Sequence, residues 1–203
     1  MNIFDYIEKK SKDIAIKVGE NDEKEDIEIY EYAIFSILSN AFTNGIGLIL
    51  AFIFNIFLPY IVCVVSYMIL RIFAGGYHCK TFRQCFYTSN ILYLVLTFLA
   101  IAPQNSIMIL ILAFIGGCII IPQCPKPSEY SLSQGKVRDK KFRIKYIISL
   151  FVLTVIAIIL LCFELQTFAN TISYAILGTV FLVSDVGENM LISVWKLIDN
   201  EWH

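Results

Sequence analysis

Apolar residues in this chain come in long blocks, and the breaks between the blocks are short and polar. No charged residue occurs between Ala33 and Leu70. That stretch is long enough for two helices, because about 20 mainly apolar residues cross a hydrocarbon core of about 30 Å. Asn55 and Pro59 supply the break near its middle. After the polar interruption Arg71 to Arg83, the chain is again uncharged from Gln84 to Gln123, with Pro103-Gln104-Asn105-Ser106 as the polar turn inside it. A last pair of blocks, Tyr146 to Phe163 and Phe168 to Val183, is divided by the link Glu164 to Gln166. The pattern predicts an all-α integral membrane protein with six transmembrane helices. Ahead of them, Ile3, Phe4, Ile7, Ile14, Ala15 and Val18 recur at helical spacing opposite Lys9, Lys10, Lys12, Asp13 and Lys17. This predicts an N-terminal amphipathic helix, either lying on the inner leaflet or packing on the cytoplasmic ends of the bundle. Acidic Glu20 to Glu28 then reads as a solvated linker. The expected organisation is therefore an N-terminal helix and linker over residues 1–32, followed by one membrane domain over residues 33–203.

Composition agrees with lipid as the solvent: 58% of residues are hydrophobic, 16% are charged, and the mean hydropathy is +0.70. Net charge is −1, but its distribution says more than its sum. All sixteen Lys and Arg residues fall in residues 1–32, around 71–83, in 123–145, or after the last span. The three alternate turns carry none, and Glu164 is their one charge. Basic residues in short loops favour the cytoplasmic side, so both termini and the loops around 71–83 and 123–145 are expected there. An extracellular binding role does not fit a face whose one charge is Glu164, and no nucleic-acid partner is expected.

The segment Arg71 to Cys85 joins the second and third spans and carries the chemistry worth weighing. His78 is one of two histidines, the other being terminal His203. A cysteine nucleophile works as its thiolate, and an imidazole can take the proton while cations such as Arg71, Lys80 and Arg83 hold the anion. Seven residues on a straight helix would separate His78 from Cys85 by about 10.5 Å, too far for proton transfer. The segment must bend, and Gly75-Gly76 can adopt angles closed to other residues. On spacing alone, an ordinary basic loop with an incidental His and Cys explains the segment slightly better than catalysis does, since a lone His and Cys pair is a weak signal. Of the other cysteines, Cys63, Cys118 and Cys162 lie in spans and read as packing residues, while Cys79 and Cys124 sit beside the reducing cytoplasm. His78, Cys79 and Cys85 lack the paired spacing and fourth ligand of a zinc site, so neither metal nor cofactor is expected.

The pattern Arg71-x3-Gly75-Gly76-x-His78-x6-Cys85 resembles the AgrB family of membrane cysteine endopeptidases, which process quorum-sensing propeptides in Gram-positive bacteria. The likeness extends to six spans, chain length and a Pro-containing basic loop, here Pro122-Gln123-Cys124-Pro125-Lys126-Pro127 followed by Lys136 to Lys145. The resemblance implies that Cys85 is the nucleophile and His78 its general base, with Arg71, Gly75 and Gly76 supporting the site. It implies an AgrD-like propeptide as substrate, cut through an acyl-enzyme thioester and closed to a thiolactone or lactone ring, and it implies a homodimer. Lys136, Arg138, Lys140 and Lys141 are suitably placed to attract the acidic tail of such a propeptide, and they serve equally as topology signals. Asn40, Thr43 and Asn44 are expected to join bundle packing, Gly45, Gly47, Gly116 and Gly117 to mark close helix contacts, and Asp185 and Glu188 to be solvated helix ends. The rival classes are a small transporter or exporter and a structural scaffold, neither of which would need Cys85.

Overall fold

The computed structural model describes residues 3–18, 24–77, 79, 81–126 and 140–201. Eight α-helices follow in order among them: α1 Ile3–Val18, α2 Lys24–Ile53, α3 Phe57–Ala74, α4 Phe82–Ile101, α5 Ser106–Ile119, α6 Lys140–Cys162, α7 Gln166–Val183 and α8 Asp185–Glu201. A short 3-10 turn, Ile121–Gln123, follows α5, and no strand occurs among the described residues. Six helical stretches are long and apolar enough to cross a membrane: Ala33–Ile53, Phe57–Ala74, Phe82–Ile101, Ser106–Gln123, Lys140–Cys162 and Gln166–Val183. The breaks fall where Pro, Asn and polar residues were expected to place them. Asn55 takes a left-handed conformation with φ 57°, which Asn tolerates, and Pro59 lies in the first turn of α3, where its missing N–H leaves no helical bond unmade. Asn105 caps α5 by accepting the Met108 N–H at 3.1 Å.

The chain divides into two compact units, Met1–Leu50 with Cys79–Ile91, and Ala51–His78 with Leu92–His203. In the first, the amphipathic helix expected at the N-terminus forms, with Ile7, Ser11 and Ala15 buried along one edge. The Phe4 ring meets Phe42 of α2 and Phe82, Phe86 and Tyr87 of α4 at centroid distances of 5.3–6.5 Å. Ile3, Tyr6, Ile16 and Val18 remain exposed. The polar residues of α2 turn inward on their own helix: Asn40 donates to the Ser36 carbonyl at 2.7 Å and Asn44 to the Asn40 carbonyl at 2.9 Å. A Cβ on Gly45 would meet nothing within 4 Å, so the close contact expected there is absent.

The second unit is organised around α7. Of its span, 61% is buried, against 17–33% for the other spans, which makes it the most covered of the six. Its packing partners are α3, α5, α6 and the start of α8. Small residues permit that position: Ala169, Ser173, Ala175, Gly178 and Thr179 are all buried. Thr171, Ser173 and Thr179 donate to carbonyls one turn back at 2.7–3.0 Å, so their hydroxyls need no outside partner. Asn170 and Tyr174 reach out instead, to the Ala100 carbonyl at 3.3 Å and to Gln104 at 2.8 Å. Leu70, Leu110, Leu150, Ile172 and Ile176 belong to one core cluster, and buried Tyr146 donates to the Gly117 carbonyl at 3.1 Å. Large apolar residues such as Ile115, Phe151 and Ile159 are exposed, as helix faces turned to lipid require. Cys63 is buried and Cys118 half-buried, but Cys162 is exposed at the last turn of α6, beyond the packed part of that helix.

Gly117 is a tight contact: a Cβ there would lie 2.7 Å from Leu150 Cδ1 and 3.4 Å from Ile176 Cγ2. Gly117→Val should therefore lower the thermal midpoint in detergent, by an overpacking cost of about 1–3 kcal/mol. Gly45→Val should not. Equal midpoints for the two variants would contradict the α5, α6 and α7 packing.

Candidate active site

Helix α3 ends because two successive glycines leave the helical region, with φ 72° at Gly75 and 114° at Gly76. Gly75 N–H still donates to the Arg71 carbonyl at 3.0 Å, and the chain then runs beside Lys126 as a single parallel bridge. Lys126 N–H donates to the Ala74 carbonyl at 2.9 Å, and Gly76 N–H to the Lys126 carbonyl at 3.2 Å. Tyr77 N–H finds the Leu182 carbonyl at 3.2 Å, near the end of α7. A Cβ on Gly75 would run into the Lys126 carbonyl, and one on Gly76 into the Arg71 guanidinium. Both glycines are therefore required by conformation and by space. Arg71, in the last turn of α3, closes the turn from the other side: Nη1 donates to the Gly75 carbonyl at 2.5 Å and Nη2 to the Tyr77 carbonyl. The planar fork of a guanidinium can serve two carbonyls at once, which an ammonium cannot do in the same geometry.

The strand-like piece ending at Lys126 is itself anchored. Arg143 of α6 donates from Nε to the Cys124 carbonyl at 2.8 Å and from Nη2 to the Pro122 carbonyl at 3.2 Å. Cys124 is buried, and burial pushes its thiol up to about 11, with Arg143 pulling the other way. The folded protein thus keeps this proton where an unfolded chain gives it up. Stability from this group falls as pH rises from the ordinary cysteine range toward that value. Lys126 Nζ meets the Val183 carbonyl at 3.1 Å, Asp185 Oδ1 at 2.9 Å and Glu188 Oε2 at 2.7 Å. Partial burial draws the ammonium down, but the hydrogen bonds and charges of Asp185 and Glu188 outweigh it and leave the Lys126 pKa raised.

Cys85 sits in the first turn of α4. Thr81 starts that helix, its Oγ1 accepting the Gln84 N–H at 3.3 Å and its carbonyl accepting the Cys85 N–H at 3.1 Å. Thr81 and Gln84 have the spacing of a capping box. Cys85 Sγ is half-buried and lies 4.0 Å from Ser89 Oγ, one turn on, while Cys79 Sγ donates to Thr88 Oγ1 at 3.6 Å.

Arg71, Gly75 and Gly76 are thus brought together in one turn of the second unit, and Cys85 belongs to the first. His78, Lys136 and Arg138 lie outside the described residues. Lys140 and Lys141 are exposed in the first turn of α6. Among the described residues, no three His, Cys, Asp or Glu side chains are grouped as metal ligands would be. The residue that sequence reasoning missed is Lys126. Its partners Asp185 and Glu188 are 59 and 62 positions away, so no local spacing could pair them. Their own i, i+3 placement directly after a span was the one available signal, and it reads equally as a solvated helix end.

The sequence model of the family described as Accessory gene regulator B matches residues 2–184. No curated protein and no solved structure matches the chain.

Arg71→Lys keeps the charge and loses the fork. Hydrogen exchange of the Gly76 and Tyr77 amides should then rise roughly tenfold, since a hydrogen bond from a charged donor contributes about 1.5–3 kcal/mol. Unchanged exchange would show that Arg71 does not hold the turn.

Proposed function

The chain belongs to the accessory gene regulator B family, and from that membership we propose that it is a membrane cysteine endopeptidase acting on a quorum-sensing propeptide of the AgrD kind. The supporting observation is the turn after α3, where Arg71, Gly75 and Gly76 fix the chain two residues before His78. The position of Cys85 in the first turn of α4 adds to it, because the positive end of the helix dipole suits an anionic sulfur.

In this reading His78 takes the proton of Cys85, and the thiolate attacks a peptide carbonyl of the propeptide. The scissile C–N bond breaks as the departing amine takes the proton from His78, and the C-terminal segment leaves. The retained segment is held as a thioester on Cys85. A Cys or Ser side chain of the propeptide then attacks that thioester, releasing a thiolactone or lactone and returning the thiol. Water must be slower than this internal nucleophile, and a site shielded at the membrane surface favours that order. Residues 33–203 serve as the peptidase domain and residues 1–32 as its appended helix and linker. Both termini and the site face the cytoplasm, as the segregation of basic residues supports. Lys136, Arg138, Lys140 and Lys141 attract the acidic end of the propeptide, and the working form is a homodimer.

The test is mass spectrometry of the propeptide incubated with wild-type protein in vesicles, and separately with Cys85→Ala and His78→Ala. Wild type should give a shortened peptide and an acyl adduct on Cys85, and each variant should lose at least about a thousandfold in rate. Equal processing by all three would rule out the His78 and Cys85 assignment and turn attention to transport.

A further inference from the structure

Helix α8 starts one residue after the last span ends, yet it does not continue it. Ser184 is extended, with φ −68° and ψ 146°, and its Oγ accepts the Gly187 N–H at 3.2 Å, starting a new helix. On one continuous helix, residues 181 and 187 would stand about 9 Å apart along the axis. Here a Cβ on Gly187 would run into the Phe181 carbonyl oxygen and lie 3.2 Å from its ring. The first turn of α8 is therefore folded back against the last turn of α7. Lys126 fastens it there, bridging the Val183 carbonyl to Asp185 and Glu188. Since Val183 closes a membrane span, α8 leaves the fold at the depth where α7 meets the bilayer surface.

From that point α8 carries an apolar stripe that the protein does not cover. Val186, Met190, Val194 and Leu197 recur at i, i+4, i+8 and i+11 on one face and are 76%, 57%, 39% and 68% exposed. Leu191 and Ile198 flank the stripe on one side and are half-buried, and Asn189 and Lys196 flank it on the other side and are exposed. We propose that α8 lies in the plane of the membrane surface on the face where α7 ends, with this stripe sunk into the boundary between phospholipid headgroups and acyl chains.

Continuity with a span makes phospholipid the occupant. The stripe begins three residues after Val183, where a span ends, and water would leave four large apolar side chains unburied. Charge sets the kind of binding. Residues 185–201 carry Asp185, Glu188, Asp199 and Glu201 against Lys196 alone, so apolar burial holds the helix and anionic headgroups are not needed. The family match ends at residue 184, so this helix is independent of the peptidase reading.

Photocrosslinking of the full-length protein tests the proposal. Benzoylphenylalanine is placed singly at Met190, Leu197, Asn189 or Lys196, the protein is reconstituted in phosphatidylcholine vesicles, and adducts are identified by mass after irradiation. Phospholipid adducts should form several-fold more at Met190 and Leu197 than at Asn189 and Lys196, and added anionic lipid should leave the ratio unchanged. Crosslinks from Met190 and Leu197 to a second copy would overturn the proposal in favour of a dimer contact. Equal and low lipid adducts at all four positions would place the stripe in water. A ratio that emerges only with anionic lipid would contradict an apolar origin.

Discussion

Backbone that leaves a helix at a membrane surface must find new partners for its N–H and C=O groups, and the end of α3 shows how much of the second unit is spent on that requirement. An unpaired buried group costs about 1–3 kcal/mol in a protein interior. Inside lipid the cost is several kcal/mol, with no water to relieve it. The Gly75 and Tyr77 carbonyls take the Arg71 fork, the Ala74 carbonyl takes the Lys126 N–H, and the Gly76 and Tyr77 N–H groups take the Lys126 and Leu182 carbonyls. Each partner comes from a different part of the chain, so this turn exists only when α3, the 121–126 segment and the end of α7 are all in place. Arg143 and the Lys126 ion pairs extend the same closure to α6 and α8.

This dependence explains why α7 occupies the centre of the unit. A helix surrounded by others cannot present large side chains in every direction, and α7 meets the difficulty with Ala, Ser, Gly and Thr. Its last turn then supplies the Leu182 and Val183 carbonyls to the chain beside α3 and to Lys126. The surrounding helices keep their large apolar residues outward, where lipid receives them. Small residues along α7 thus let it pack at the centre, and its last turn, at Leu182 and Val183, makes it the floor on which the Gly75-Gly76 turn rests.

The spans were legible in the sequence because each is bounded by residues whose physical effect is local. Asn55 with Pro59, Pro103 to Ser106, and Glu164 to Gln166 stop or restart a helix by their own chemistry, and the structure breaks at each. The bend after Arg71 was legible for the same reason, since two adjacent glycines before a basic loop have few other uses. Pairings across long sequence separations were not legible. Nothing near Lys126 points to Asp185 or Glu188, and nothing near Arg71 says that its fork serves carbonyls rather than an anion. Helix α8 escaped the hydropathy pattern because charged and polar residues interrupt its apolar ones, which run no more than three together. Asn40 and Asn44 read as bundle contacts, yet each donates to a carbonyl of the preceding turn, an outcome that residue type alone does not distinguish. For the chemistry, the sequence pointed to Cys85, and the structure adds its place in a capped helix start.

The proposed chemistry depends on His78 acting on Cys85, and that dependence can be measured without any substrate. The alkylation rate of Cys85 by iodoacetamide at pH 7, followed on the peptide that contains it, is compared between wild-type protein and His78→Ala in the same vesicles. An imidazole that takes the thiol proton should make the wild-type rate faster by roughly tenfold or more. Equal rates in two folded proteins would mean that His78 does not act on Cys85, and the peptidase mechanism proposed for this chain would be wrong.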